Sequence, residues 1–177
     1  MDIILGCMFS GKSTEMLRRV SRYKAIGKKC LIINSALDTR SVGLITHGGV
    51  TENDVIKVGR LSELKDSPQF LEAEIIAIDE AQFFTDLRDF CLICESLGKR
   101  LIVAGLDGDS NREPFGEILT CIPLCDTVVK LNAMDMVLKD GTPAIFSKRI
   151  AINKNTQVHV GGKDSYLAVS RKSFLTK

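Results

Sequence analysis

Short runs of Ile, Val and Leu punctuate the chain at Ile3 to Leu5, Cys30 to Ile33, Ile75 to Ile78, Leu101 to Ala104 and Val128 to Leu131. Each is apolar at consecutive positions and bounded by turn residues, the pattern of a parallel strand buried on both faces. Between the runs the period lengthens to that of a helix. Ser13 to Ala25 sets Met16, Leu17 and Val20 against a basic face of Arg18, Arg19 and Arg22 and stops at Gly27; Asp86 to Leu97 stops at Gly98. Strand and helix in alternation predict right-handed crossovers and an open α/β sheet with its ligand at the strand carboxyl ends.

That pattern holds to about residue 130. Beyond it lie shorter segments, Ala144 to Ile150, Gln157 to Val160 and Tyr166 to Val169, separated by Asp140-Gly141-Thr142-Pro143 and Gly161-Gly162. The division expected is an α/β domain over residues 1–130 and a small β-rich, loop-dominated lobe over 131–177.

Composition narrows the class. With 177 residues, 45% hydrophobic and 26% charged, the chain is long enough for one sizeable core and is neither disordered nor a disulfide miniprotein. No apolar run approaches the roughly 18 residues that cross a bilayer, and no basic, cleavable leader precedes Asp2, so a cytoplasmic protein with no membrane partner is expected. The net charge of +2 hides an asymmetry: residues 61–126 hold 5 basic and 14 acidic side chains, while both flanks are basic. A nucleic-acid binder carries a larger overall excess, so the pattern suits a small anionic ligand held near carboxylates and a divalent cation.

Gly6-Cys7-Met8-Phe9-Ser10-Gly11-Lys12-Ser13 fits G-x-x-x-x-G-K-[ST] at every fixed position, after a predicted strand and before a predicted helix. In such a loop backbone N–H groups turn inward on phosphates, Lys12 reaches the β/γ oxygens and Ser13 offers its hydroxyl to Mg²⁺. The fold expected is therefore a P-loop NTPase-like open parallel sheet. A second strand, Ile75 to Ile78, delivers Asp79 and Glu80 to the same edge. There Asp79 suits Mg²⁺, and Glu80 suits proton acceptance from a nucleophile. The bland alternatives are a glycine turn beside a lysine and a strand ending in two solvated acids. A GTPase is disfavoured, because Asn153-Lys154-Asn155-Thr156 lacks the Asp of the guanine motif.

At this point eight blocks, in order and in register, resemble the cytosolic, poxvirus-type thymidine kinases. They are Met8 to Glu15, Asp38-Thr39-Arg40, Thr46-His47, Asp79 to Phe84, Leu106-Asp107-Gly108, Pro114-Phe115-Gly116, Phe146 to Arg149 and Gly161 to Tyr166. The resemblance implies transfer of the ATP γ-phosphate to the 5′-hydroxyl of deoxythymidine. It implies Glu80 as proton acceptor, with Lys12 and Arg40 meeting the charge on the transferred group. It puts Gly6 to Ser13, Asp38, Arg40, Asp79 and Gln82 against the nucleotide and gives Mg²⁺ to Ser13 and Asp79. A lasso of Gln157, Val158, His159, Val160 and Gly161 would read the base through its main chain, with Tyr166 closing the site and Met8, Phe83, Leu106 and Phe115 forming an apolar wall. A homotetramer and feedback inhibition by dTTP are implied in the same way. Two other readings stay open on the residues: a catalytically silent nucleotide-binding protein, and a P-loop ATPase stimulated by nucleic acid.

The chain departs from the family at three places. Family members commonly staple the small lobe with zinc held by two C-x-x-C pairs, where this chain has Asp135 with Leu138 and Ser170 with Ser173; no structural zinc is expected. The cysteines lie elsewhere, and Cys91 with Cys94 reads as a buried helix face. Cys7 stands where Pro is usual, beside amides and a helix N-terminus that favour thiolate, which predicts sensitivity to oxidation. Ser110 replaces an aromatic that often frames the nucleoside.

Overall fold

Consecutive apolar residues put side chains on both sides of a strand, and such a strand is stable only between two covered faces. A computed structural model describes residues 1–38, 44–45, 51–52, 54–150, 157, 161–162 and 164–176. Its first part comprises β1 (Asp2–Gly6), α1 (Lys12–Ala25), β2 (Cys30–Ser35), β3 (Leu44–Ile45), β4 (Thr51–Glu52), β5 (Val55–Val58), α2 (Pro68–Glu72), β6 (Ile75–Ile78), α3 (Leu87–Ser96), β7 (Arg100–Gly105) and β8 (Thr127–Leu131). Six strands form one sheet in the order β5-β2-β6-β7-β1-β8. Every neighbouring pair is parallel, so all the carboxyl ends lie on one edge. β3 and β4 form a separate antiparallel pair.

The period of 2 along each strand sorts the core. Ile4, Ile32, Ala77, Ile102 and Ala104 turn toward α1 and pack on Met16, Leu17 and Val20. Their neighbours Ile3, Ile33, Ile76, Ile78 and Val103 turn the other way, onto Phe70, Phe84, Leu87, Phe90 and Cys94. The expected α/β architecture is present, with two differences. β5 joins the sheet although the sequence reading has no strand there, because Lys57 interrupts its apolar run and it lies at an edge. β8 is not doubly buried: it is the other edge, and Val128 is 44% exposed.

The chain continues through β9 (Ala133–Met134), β10 (Pro143–Ala144), β11 (Phe146–Arg149), β12 (Tyr166–Val169) and α4 (Arg171–Leu175). β9 pairs with β10 and β11 with β12, both antiparallel. Ala133, Ala144 and Ala168 pack around Cys7 from the glycine loop, with Phe9 and Met136 alongside. The four positions that correspond to the family's zinc ligands are joined by hydrogen bonds. Asp135, 2% exposed, takes the N–H groups of Val137 at 2.8 Å and Leu138 at 2.9 Å on Oδ1 and that of Ser170 at 2.7 Å on Oδ2. Ser170 in turn caps α4 by accepting from Ser173 N at 3.3 Å. Burial alone raises the Asp135 carboxyl, but hydrogen bonds from Ser170, Leu138 and Ser173 outweigh it and hold the group far below the usual carboxylate range.

Candidate active site

The loop between β1 and α1 turns on glycine. At Gly6, with φ +149°, a Cβ would stand 2.4 Å from Leu131 O and 2.6 Å from Ser10 Oγ, so no side chain fits where the loop leaves the sheet. Phe9 adopts φ 65° and Gly11 φ 84°, and α1 begins at once with Lys12. Ser10 Oγ and Lys12 Nζ both donate to Cys7 O at 2.8 Å, drawing the loop around one carbonyl. Met8 N donates to Ser147 Oγ of β11 at 3.0 Å, which fastens the loop to the small lobe.

Lys12 is 8% exposed. Burial pushes its ammonium below the usual lysine range, and the charges that oppose this most are Glu80 and then Asp79, followed by Cys7 and Asp107. The glycine loop and the paired acids therefore share one electrostatic site, although β1 and β6 are separated in the sheet by β7. Asp79, 3% exposed, accepts from Glu80 N at 2.9 Å. Burial, then the neighbouring Glu80, push its carboxyl up to about 6. A carboxylate taken out of water beside a second acid suits a divalent cation, and Ser13 in the first turn of α1 offers a further oxygen donor.

Glu80 sits at φ 50°, ψ 40° and starts a 3₁₀ turn over Ala81–Phe83. Gln82, expected against the nucleotide, is 3% exposed and has its amide committed within the protein: Nε2 donates to Glu80 Oε2 at 2.6 Å, and Oε1 accepts from Leu106 N at 2.9 Å. The expected apolar wall assembles in part, with the rings of Phe83 and Phe115 meeting edge to face at 5.6 Å. Asp38, in the turn that follows β2, accepts from Asn34 Nδ2 at 3.0 Å. Arg40, Val158, His159 and Val160 lie outside the described residues.

Around the expected nucleoside pocket the structure adds two residues to which sequence reasoning gave no role. Arg149, 9% exposed, donates to Tyr166 Oη at 2.9 Å and to Gln157 O at 3.1 Å. Asp109 accepts from Gln157 Nε2 at 3.1 Å and from the N–H groups of Asn111 and Glu113. Arg149 lies in one of the recognised blocks, and Asp109 directly follows another, Leu106-Asp107-Gly108.

The expectation for Cys7 is reversed. Its thiol is 3% exposed, donates to Ala144 O at 3.4 Å and is pushed up by burial, which outweighs the Lys12 charge. A desolvated thiol is a poor thiolate. Cys91 and Cys94 are buried in α3, as the helix pattern predicts.

The family model described as thymidine kinase matches residues 1–174. This chain belongs to the thymidine kinase family. Its relatives in that family include the cytosolic thymidine kinase of Cricetulus griseus, 42% identical over 177 residues that cover 99% of this chain and 73% of that protein. The cytosolic thymidine kinase of Homo sapiens is 42% identical over 178 residues, with coverage of 99% and 73%. The thymidine kinase of Vaccinia virus (strain Western Reserve) is 41% identical over 175 residues, with coverage of 98% and 96%. Family membership makes this chain a kinase with ATP as its phosphoryl donor. Among the described residues no helix is long and apolar enough to cross a membrane.

Proposed function

We propose that the chain transfers the γ-phosphoryl group of ATP to the 5′-hydroxyl of thymidine, giving dTMP and ADP. The reading is supported by the glycine loop that opens α1 with a buried Lys12, whose ammonium feels the charges of Glu80 and Asp79 at the end of β6. The glycine loop, Gly6 to Ser13, cradles the phosphates, with Lys12 neutralising the oxygens between which the bond breaks. Ser13 and Asp79 hold Mg²⁺, which when bound offsets the negative charge of the triphosphate. Glu80 accepts the proton as the O5′–H bond breaks and the O5′–P bond forms, while the P–O bond to the leaving ADP opens. Arg40 meets charge developing on the group in flight.

Residues 131–177 close over the nucleoside, with Gln157 to Gly161 reading the thymine edge by main-chain groups and Tyr166 beside them. Buried amides matched to that edge penalise any base that leaves them unpaired. Phe83 and Phe115, with Met8 and Leu106, accommodate the apolar side of the base. The same resemblance carries the regulatory and assembly readings, namely dTTP as feedback inhibitor, a homotetramer and a cytoplasmic location; two relatives have "cytosolic" in their names. The test is to supply labelled ATP and Mg²⁺ with each deoxynucleoside in turn. Labelled dTMP is expected. ATP binding with no labelled product from any nucleoside, or ATP hydrolysis stimulated by DNA, would overturn the assignment.

A further inference from the structure

A proton acceptor works only if its oxygen lies in line with the hydroxyl it serves, and misplacement by about 1 Å costs on the order of 10²-fold. Glu80 has a long side chain with several rotamers open to it when unrestrained. It also stands at a strand end, where the main chain has left the sheet's hydrogen-bond ladder. What restrains its carboxylate therefore matters to the reaction.

We propose that Gln82 is the positioning residue for Glu80. The inference rests on Glu80 being the proton acceptor and adds the group that aims it. Gln82 Nε2 donates to Glu80 Oε2 at 2.6 Å, a short contact of the charge-assisted kind that fixes one oxygen of the carboxylate. The other end of the same amide is fixed as well, because Oε1 accepts from Leu106 N at 2.9 Å just past β7. A main-chain N–H only donates and a carboxylate only accepts, so the amide has a single workable orientation between them. Gln82 thus ties the ends of two adjacent strands, β6 and β7, through the acid.

Two glycines leave room for this tie. A Cβ on Gly105 would stand 2.7 Å from Gln82 Oε1, and one on Gly116 would stand 2.2 Å from Gln82 O. Gly116 directly follows Phe115, and Gln82 directly precedes Phe83, the two rings in edge contact. The tether that aims the acid is therefore continuous with the aromatic wall proposed for the nucleoside. It sets the distance between the proton acceptor and the pocket that presents the hydroxyl.

The experiment uses Gln82→Met, which keeps chain length without the amide, and Gly105→Ala, which keeps the amide but displaces its oxygen. Steady-state turnover of thymidine and ATP is measured for each, with ATP binding and thermal melting as controls. In both variants kcat is expected to fall roughly 10- to 100-fold, with KM for thymidine and ATP affinity close to wild type. In a Glu80→Gln background the Gln82→Met change is expected to cost nothing further, since no base remains to be aimed. The proposal is overturned by wild-type kcat in Gln82→Met, by an equal loss in both backgrounds, or by a rise in the KM for ATP with kcat unchanged. Should Gln82→Met fail to melt cooperatively, Gly105→Ala alone decides: full kcat there overturns it. Full turnover in Glu80→Gln is a different result, which removes the assignment of the base itself.

Discussion

Replacing Asp135 by Asn tests what holds the segment after β9 to the start of α4. The carboxylate receives three main-chain N–H groups, two on Oδ1 and one on Oδ2. An Asn amide has one acceptor oxygen, so one face of the side chain must present N–H to N–H. The less costly orientation keeps Val137 and Leu138 satisfied and leaves the buried Ser170 N–H, the link to the start of α4, without an acceptor. An orphaned buried donor costs about 1–3 kcal/mol, and for a chain of this length each kcal/mol moves Tm by about 2–4 °C. A central value of about 2 kcal/mol therefore lowers Tm by roughly 4–8 °C, with faster amide exchange at Ser170. The acid limb adds a second signature. Because the folded carboxyl lies below its unfolded value, its contribution is complete above about pH 4 and is lost as the pH falls toward the folded value. Asp135→Asn lacks that limb. Calorimetry at pH 7 and at several acid pH values measures both. An unchanged Tm at pH 7, or an acid dependence identical to wild type, refutes the account.

Three further outcomes are expected. Glu80→Gln lowers kcat by about 10² to 10⁴, the usual worth of a positioned base, while isothermal titration still registers ATP binding; retained full turnover removes Glu80 from that role. Gly6→Ala cannot be accommodated against Leu131 O without moving the strand end, so both melting temperature and ATP affinity fall, and wild-type values for both would contradict the contact. Cys7 stays unlabelled by a thiol reagent under native conditions while the partly exposed Cys30 and Cys125 react; early labelling of Cys7, read by peptide mass analysis, contradicts its burial.

Features written locally in the chain are the ones that could be read from it. β1, β2, β6 and β7 each carry at least three consecutive buried apolar residues because both faces are covered, so their runs stand out. β5 escapes because an edge strand tolerates Lys57, whose ammonium reaches back to Asp38 O. The cradle and the acid pair are legible because each is a few consecutive residues on one strand end. Gln82 is different: its position in the motif associates it with the nucleotide, but the roles of its two amide ends depend on β7 and the loop after it. Cys7 shows the same limit. Its neighbours in sequence, an amide-rich loop and a helix start, favour thiolate, and its neighbours in space, three alanines from the lobe, reverse that. At Asp135, Leu138, Ser170 and Ser173 the residue types lead to the expectation of no zinc but do not reveal that a carboxylate sits at the centre of a hydrogen-bond cluster there.

The alanines that surround Cys7 bear on how this kinase can change over evolutionary time. The outer wall of the phosphate loop is also the floor of the lobe, through Cys7 against Ala144 and Met8 against Ser147. A larger residue at position 133, 144 or 168 would press on the loop proposed to seat the triphosphate. Drift in the lobe would then surface as altered donor affinity, so the spacing of these small residues and the bore of the triphosphate seat must evolve in step.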